Sequence, residues 1–290
     1  MEHPLVVGTD GSDSAFRALD WAADQAARHG LGLRVVYASR WERYEGAVPD
    51  GGERPGEQVL AESVVESAAE LARRRQPDIK VSGEVLALDP VTALLNEGLH
   101  ATALILGSRG RGEIAGLLLG SVSLAVSARA RCPVIVVRGD TAGLAGTHER
   151  ILLGVADPAK DSTAVRFAFH EAEIRGCALE AVCAWPLPVR DATEAPLLAA
   201  DARRHHEQQA SALLDEALDE MSGGYPAVRV RRVTVEGPAH KVLVHRTAAA
   251  DLLVTGAQHR QGHFGLQLGR VAHTALCHAT CPVAVVPQHA

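Results

Sequence analysis

The amino-acid chain repeats itself, and spacing shows it more firmly than composition does. Gly107 to Gly120 and Gly256 to Gly269 are both 13 residues apart, as are Gly120 to Pro133 and Gly269 to Pro282. Short apolar strands resemble one another by chance, but chance does not preserve such intervals. The order of segments recurs too: PLVVGTD is matched by ILLGVAD, LRVVYAS by LEAVCAW, ATALILGSRG by ADLLVTGAQH, and CPVIVVR by CPVAVVP. The offset is 149 residues near the carboxyl-terminal segments and 146 between Gly8 and Gly154. A chain of 290 residues is therefore expected to form two like domains, each able to bury its own core. Their expected bounds are 1–140 and 149–290, with residues 139–148, which carry Gly143 and Gly146, as the natural linker.

Within the first repeat, apolar PLVVG runs into Gly8-Thr9-Asp10-Gly11-Ser12, a buried strand emerging into a tight turn. Phe16, Leu19, Trp21, Ala22, Ala26 and Ala27 give the apolar face of a helix stopped near Gly30 and Gly32, and LRVVYA reads as a second buried strand. Residues 39–58, rich in Gly, Pro and charge, read as a surface excursion, and 59–75 as a helix. The strand IKVSGEVL follows, then a helix capped by Asp89 with Pro90 where a missing amide is tolerated. ATALILGSRG, a helix after Gly120 and the strand RCPVIVVRG complete the unit. The expected class is α/β: two tandem doubly wound parallel-sheet domains, each of about five strands with helices on both faces. Right-handed crossovers set the strand-end loops along one rim.

Composition narrows the partners. Hydrophobic residues at 47% and charged residues at 22% describe a globular chain, while aromatics at 3% supply a poor stacking platform for single-stranded nucleic acid. A formal charge of −6 gives no general attraction to nucleic acid or an anionic membrane. Arg73-Arg74-Arg75 and Arg229, Arg231 and Arg232 read first as solvated faces and second as patches for a partner. No signal-peptide core opens the chain and no apolar run reaches a membrane span, so a cytoplasmic location is expected. Five cysteines without CxxC read as buried thiols; Cys277, His278 and Cys281 are a metal alternative that lacks a second ligand cluster.

The segment from Gly107 to Ser121 has the pattern G-x2-G-x9-G-S after a buried strand. Gly107 and Gly110 let backbone amides approach a phosphate chain without an intervening Cβ. Gly120-Ser121 opens a helix whose amides favour an anion, and the Ser121 hydroxyl can donate as well. Arg109 and Arg111 can screen phosphate charge. Asp10, on the same rim as Gly8, can accept from nucleotide hydroxyls or base or help hold Mg2+; the alternative is a capping or turn residue. The alternative for the whole pattern is a tight turn that packs sheet against helix. Neither GxxxxGK[ST] nor GxGxxG is present, which disfavours a P-loop NTPase and a NAD oxidoreductase.

At VVGTDGS (6–12), GSRGRGEIAGLLLGSVS (107–123) and RCPVIVV (131–137), with partial echoes in the second half, the chain resembles the universal stress protein family in its tandem-domain form. The resemblance implies ATP binding. It sets Gly8 and Asp10 at the adenosine, Gly107, Ser108, Arg109 and Gly110 at ribose and phosphate, Gly120, Ser121, Val122 and Ser123 around the phosphate end, and Ala38 near adenine. It also implies that the CPVIVV and CPVAVV strands are pairing edges, so a pseudo-dimer of repeats and a homo-oligomer are expected.

The second repeat departs from the pattern where it matters. His259 stands at the position of Gly110, Arg270 at that of Ser121 and Ala156 at that of Asp10, with Asp157 adjacent. A degenerate, mainly structural site is expected there, with a modified anion site as the alternative because Arg270 can attract phosphate. His259 with His263, and His205 with His206, raise a metal reading without a four-ligand spacing. Three functions remain open: an ATP-binding stress-response or signalling regulator with an unidentified protein partner, a slow Mg-dependent ATPase, and a nucleotide-independent interaction scaffold.

Overall fold

The structure is a computed structural model that describes residues 3–39, 56–110, 118–185, 196–258 and 268–288. The chain divides into two compact units between residues 138 and 139. The first unit runs β1 (Leu5–Gly8), α1 (Asp13–His29), β2 (Leu33–Ala38), α2 (Gly56–Arg75), β3 (Val81–Leu86), α3 (Pro90–Glu97), β4 (Ala103–Gly107), α4 (Ser121–Arg129) and β5 (Val134–Val137). A 3-10 turn, Gly98–His100, joins α3 to β4. Every strand pairing in this unit is parallel, in the order β3-β2-β1-β4-β5. Helices α1 and α2 pack together on one face and α3 with α4 on the other. The chain therefore leaves β1 toward β2 on one side and returns to β4 on the other, which opens a crevice at the carboxyl ends of β1 and β4.

The second unit repeats the plan with β6 (Arg150–Gly154), α6 (Pro158–Arg175), β7 (Ala178–Trp185), α7 (Pro196–Gly224), β8 (Val230–Glu236), α8 (Ala239–Arg246), β9 (Leu252–Gln258), α9 (Arg270–His278) and β10 (Val283–Gln288). Its strands pair in parallel in the order β8-β7-β6-β9-β10. Before β6 comes the short helix α5 (Thr141–Ala145). The doubly wound α/β class expected from sequence is thus the observed one.

Local chemistry accounts for the elements. Ser12 caps α1 by accepting from the Ala15 amide, and Gly30 closes it at φ 65. Asp89 caps α3 by accepting from the Thr92 amide. All five residues of β4 and all four of β5 are buried, as a strand covered on both faces requires. Val7, Ile105, Leu153 and Val254 are fully buried, each such side chain contributing about 1.5–3 kcal/mol. Ala27, expected on the buried face of α1, is exposed, and buried Gln25 takes part in the interior instead, bonded to His29 Nε2 at 2.6 Å.

Two further contacts fix the ends of elements. The Asp24 carboxylate of α1 receives Arg75 Nε and Gln76 Nε2, both at 2.8 Å, so the end of α2 is fixed to α1. Burial works to raise the Asp24 carboxyl, but the Arg75 guanidinium and Gln76 amide outweigh it and hold it below the usual carboxylate range. Residues 139–148, expected as a linker, carry α5 and cluster with the second unit. Gly139 has φ +107, and a Cβ there would lie 2.2 Å from the Thr280 carbonyl oxygen, while the Asp140 amide donates to that oxygen at 3.1 Å.

Two outcomes are expected in chemical denaturation. Gly139→Ala should cost at least about 3 kcal/mol, because left-handed backbone and a backbone clash coincide, whereas Gly146→Ala, at φ +72 with open space, should cost about 1. For Asp24, the folded carboxyl titrates below the unfolded one, so its contribution is present above the unfolded value of about 3.9 and is lost as pH falls through the folded value. Asp24→Asn should flatten stability against pH in that acid window and leave the profile above pH 6 parallel to that of the parent.

Candidate functional site

The turn after β1 is built by its own side chains. Thr9 Oγ1 accepts from the Gly11 amide at 3.2 Å, and Asp10 Oδ1 accepts from the Ser12 amide at 3.0 Å. Gly11 takes φ 75, so the chain reverses within these residues and enters α1 at Ser12. The Asp10 carboxylate is thereby held at the rim, one oxygen occupied by its own turn.

The segment after β4 is tied from both ends. Ser123 Oγ donates to the Gly107 carbonyl at 2.7 Å, and the Gly120 amide donates to the Ser108 carbonyl at 2.8 Å. The Arg109 amide donates to Ser14 Oγ at 3.2 Å, and Ser14 Oγ lies 3.5 Å from Ser108 Oγ. Residues 108–110 and the start of α4 therefore form one braced edge. Within α4 the first intrahelical bond is from the Leu124 amide to Gly120, and no side chain caps the helix among the described residues. Its leading amides, at Ser121, Val122 and Ser123, give a positive end suited to an anion. Arg109 is exposed beside it, as is Ser121.

The glycines divide by what they touch. A Cβ on Gly8 would fall 2.8 Å from Leu106 and 3.0 Å from Leu94, and one on Gly107 would fall 2.7–2.8 Å from Ser14, including its backbone. Both are small because the protein itself fills the space. Gly110 differs: its Cβ would meet Asp10 Oδ2 at 2.6 Å. The loop after β4 thus lies directly over the Asp10 carboxylate. A Cβ on Gly120 would make only ordinary contact, its nearest neighbour among the described residues being Arg109 Cα at 3.5 Å.

The structure therefore brings Gly8, Asp10, Gly107, Ser108, Arg109, Gly110, Gly120, Ser121, Val122 and Ser123 to one rim at the switch crevice. Ala38 ends β2 on the same rim; Gly8 registers with Val36, so Ala38 extends two residues past the β1 terminus. Ser123 is buried and its hydroxyl proton serves Gly107, so its share in any ligand contact falls to its amide. Arg111 lies outside the described residues. Sequence reasoning missed Ser14, which joins α1 to the β4 edge; the serines in GTDGSDS were the available signal.

In the second unit, β6 leads to Ala156 and to Asp157, the residue before α6. Gly269 precedes α9, with no described residue within 4 Å of where its Cβ would lie, and exposed Arg270 begins that helix. A guanidinium thus stands where the first unit has a serine. His259 and His263 lie outside the described residues. Among the described residues no three His, Cys, Asp or Glu side chains gather as metal ligands, and no helix is long and apolar enough to cross a membrane. Cys132, Cys177, Cys183 and Cys281 are buried and Cys277 partly so; burial pushes the Cys132 thiol up to about 11, which makes it a poor nucleophile.

The roles of two rim glycines are separable. Gly107→Ala should lower unfolding free energy by about 2–3 kcal/mol through overpacking against Ser14, and Gly120→Ala by under about 1 kcal/mol, both read from denaturant midpoints.

Known proteins share this arrangement of sequence and fold. The sequence pattern described as "Universal stress protein family" matches residues 1–138 and again 147–287. A universal stress protein of Mycobacterium tuberculosis is 34% identical over 303 residues, covering 99% of this chain and 98% of its own. Another from the same organism is 30% identical over 307 residues, covering 98% and 95%. The crystal structure of a universal stress protein from Archaeoglobus fulgidus has a TM-score of 0.70 at 20% identity, covering 98% of each chain, which is a likeness of fold.

Proposed function

The chain belongs to the universal stress protein family, and on that premise we propose that it is a cytoplasmic stress-response regulator whose first unit holds one ATP with Mg2+. The observation that carries this reading is the meeting of Asp10 with Gly110 at the switch crevice, beside an α4 amino end that no described side chain caps. A phosphate group suits the amides of Ser121, Val122 and Ser123 with Arg109 nearby. Ribose and base suit the stretch from Asp10 to Ala38 along the rim.

The donor set is consistent with Mg2+. One carboxylate is a usual protein share for Mg2+ that also takes phosphate oxygens. Asp10 is the residue that would hold it, and the ion would supply neutralisation of the phosphate charge. Gly110 keeps the space above Asp10 clear of a Cβ. In the second unit Ala156 stands at the position of Asp10 and His259 at that of Gly110, and this favours one nucleotide per chain. Differential binding to two states of the rim would then alter the surface shown to a protein partner.

Calorimetric titration of nucleotide-stripped protein with ATP and Mg2+ should give near-unit stoichiometry. Gly110→Val should raise Kd at least about tenfold, or about 1.4 kcal/mol, while the apo protein still unfolds in one cooperative transition, its melting temperature lowered only by the displacement of the Asp10 carboxylate. Two equal sites, or a Gly110→Val variant that binds like the parent, would overturn the assignment. Multiple-turnover phosphate release abolished by Asp10→Asn would instead make the protein a slow Mg-dependent ATPase, and absence of any nucleotide binding would leave an interaction scaffold.

A further inference from the structure

The two units seat their third crossover helix on the sheet by the same apolar contact. Leu94 of α3 lies against Gly8 of β1, with its Cδ2 3.0 Å from where a Cβ would be, and Leu243 of α8 lies against Gly154 of β6 at 2.7 Å. Leu94 and Leu243 are 149 residues apart in sequence and both are buried. Each helix also packs against the second strand of its unit, α3 on β2 and α8 on β7. Nothing in this apolar anchor tells one helix from the other.

The polar contact at the helix end does. Arg34 follows Leu33 in β2, and Glu180 follows Leu179 in β7; Leu33 registers with Leu5 as Leu179 does with Ile151, so the two positions correspond. Glu97 and Arg246 are the last residues of α3 and α8. In the first unit, Arg34 Nε donates to Glu97 Oε2 at 2.6 Å, with Glu84 of β3 also bound to Arg34. In the second, Arg246 Nε donates to Glu180 Oε1 at 2.8 Å. The same pair of positions thus holds strand cation and helix anion in one unit, and strand anion and helix cation in the other. Both contacts are shielded: the side chains are 28% and 17% exposed for Arg34 and Glu97, and 28% and 3% for Arg246 and Glu180.

We propose that this inversion is a sorting device that keeps each helix with its own sheet while the two like units fold. Tandem repeats with matching cores are prone to exchange of equivalent elements. If α3 seated on the second sheet, Glu97 would face the buried Glu180, deprived of Arg246. Arg150 and Arg231 ion-pair with the other oxygen of Glu180 at 3.6 and 3.4 Å without hydrogen-bonding it, so the exchange would bring in a second carboxylate and take away Arg246, the cation that hydrogen-bonds Glu180 among the described residues. The reciprocal exchange would set Arg246 against Arg34. Like charges in a shielded contact cost far more than a surface pair gains, so the penalty falls on the exchanged form alone. The neighbours follow the same logic, Glu84 of β3 serving Arg34 and Arg231 of β8 attending Glu180.

The full chain with Arg34→Glu, Glu84→Arg and Glu97→Arg keeps a native ion pair but gives both units one polarity. Wild type and variant would be unfolded in guanidinium, diluted to refold, and scored by recovery of the original gel-filtration peak and near-ultraviolet circular dichroism. The variant should recover at most half as much as wild type, with the remainder in altered or associated species, although protein purified in its native form melts within 3 °C of wild type. If the reversed pair itself proves unstable, Arg34→Met, Glu84→Gln and Glu97→Met combined with Glu180→Met and Arg246→Met makes both contacts apolar and so removes the discrimination without a reversed pair, and the same twofold loss is expected. Recovery equal to wild type in whichever variant retains native stability would overturn the proposal.

Discussion

The end of β4 passes under the first turn of α1 so closely that no side chain fits at Gly107. Backbone and hydroxyl of Ser14 fill the space where its Cβ would be. That contact decides where the chain can go next. Ser14 Oγ receives the Arg109 amide, Ser123 donates back to Gly107, and Gly120 returns to Ser108. The loop after β4 and the start of α4 are therefore braced against the helix that follows β1. In a parallel doubly wound sheet this is the place where neighbouring loops diverge and leave a crevice. Here the divergence is bridged at its base, which holds Gly110 over Asp10. A rim assembled from two loops that were free of one another would order only on meeting a ligand, at a cost in entropy; this one is ordered beforehand over the residues described.

Much of this was legible in the sequence because it rests on local rules or on counting. The Asp89 cap, the Pro90 start, the Gly30 stop and the alternation of buried strands with helices follow from backbone chemistry, and the duplicated 13-residue intervals carry the second unit along with the first. The rim residues were legible too, since strand ends in such a sheet share one edge. The cause of particular glycines was not. Gly107 reads as a surface for a ligand, with sheet packing as the alternative, and Gly8 is set at the adenosine by resemblance; in the structure Leu94, Leu106 and Ser14 occupy the space where their side chains would be. Which side chains cross at a strand end is a matter of tertiary packing, and the sequence offers at most a weak signal of it, such as the serines after Asp10. Residues 139–148 show the same limit: Gly143 and Gly146 read as part of a linker, whereas Gly146 ends a helix and Gly143 abuts Thr280.

The two units differ where the physics lets them. Their strands are buried on both faces, so substitutions there stay apolar and of similar volume, as Ile105 against Val254 illustrates. At the rim, solvent and ligand set the terms, and Ser121 gives way to Arg270. At the helix ends, an ion pair can be inverted as a pair but not one residue at a time, because a single change would leave a shielded charge opposed by its like. Arg34 with Glu97 and Glu180 with Arg246 therefore record a coupled change within an otherwise constant frame.

This asymmetry bears on what a bound nucleotide can accomplish. A ligand held by one unit stabilises that unit by an amount set by its concentration relative to Kd, about 2.7 kcal/mol at a hundredfold excess, and gives nothing directly to a unit that does not bind it. The stabilisation falls on contacts between the β1 and β4 loops and α4, the elements braced through Ser14 and Gly120. Those contacts are tight, so occupancy has little room to move them as a block. Its effect would be concentrated instead on the part of the rim that packing does not fix: the space over Asp10 and the exposed side chains of Arg109 and Ser121. On the proposed function, the protein would therefore act through a local change of surface and charge, with the sheet beneath serving as a fixed reference.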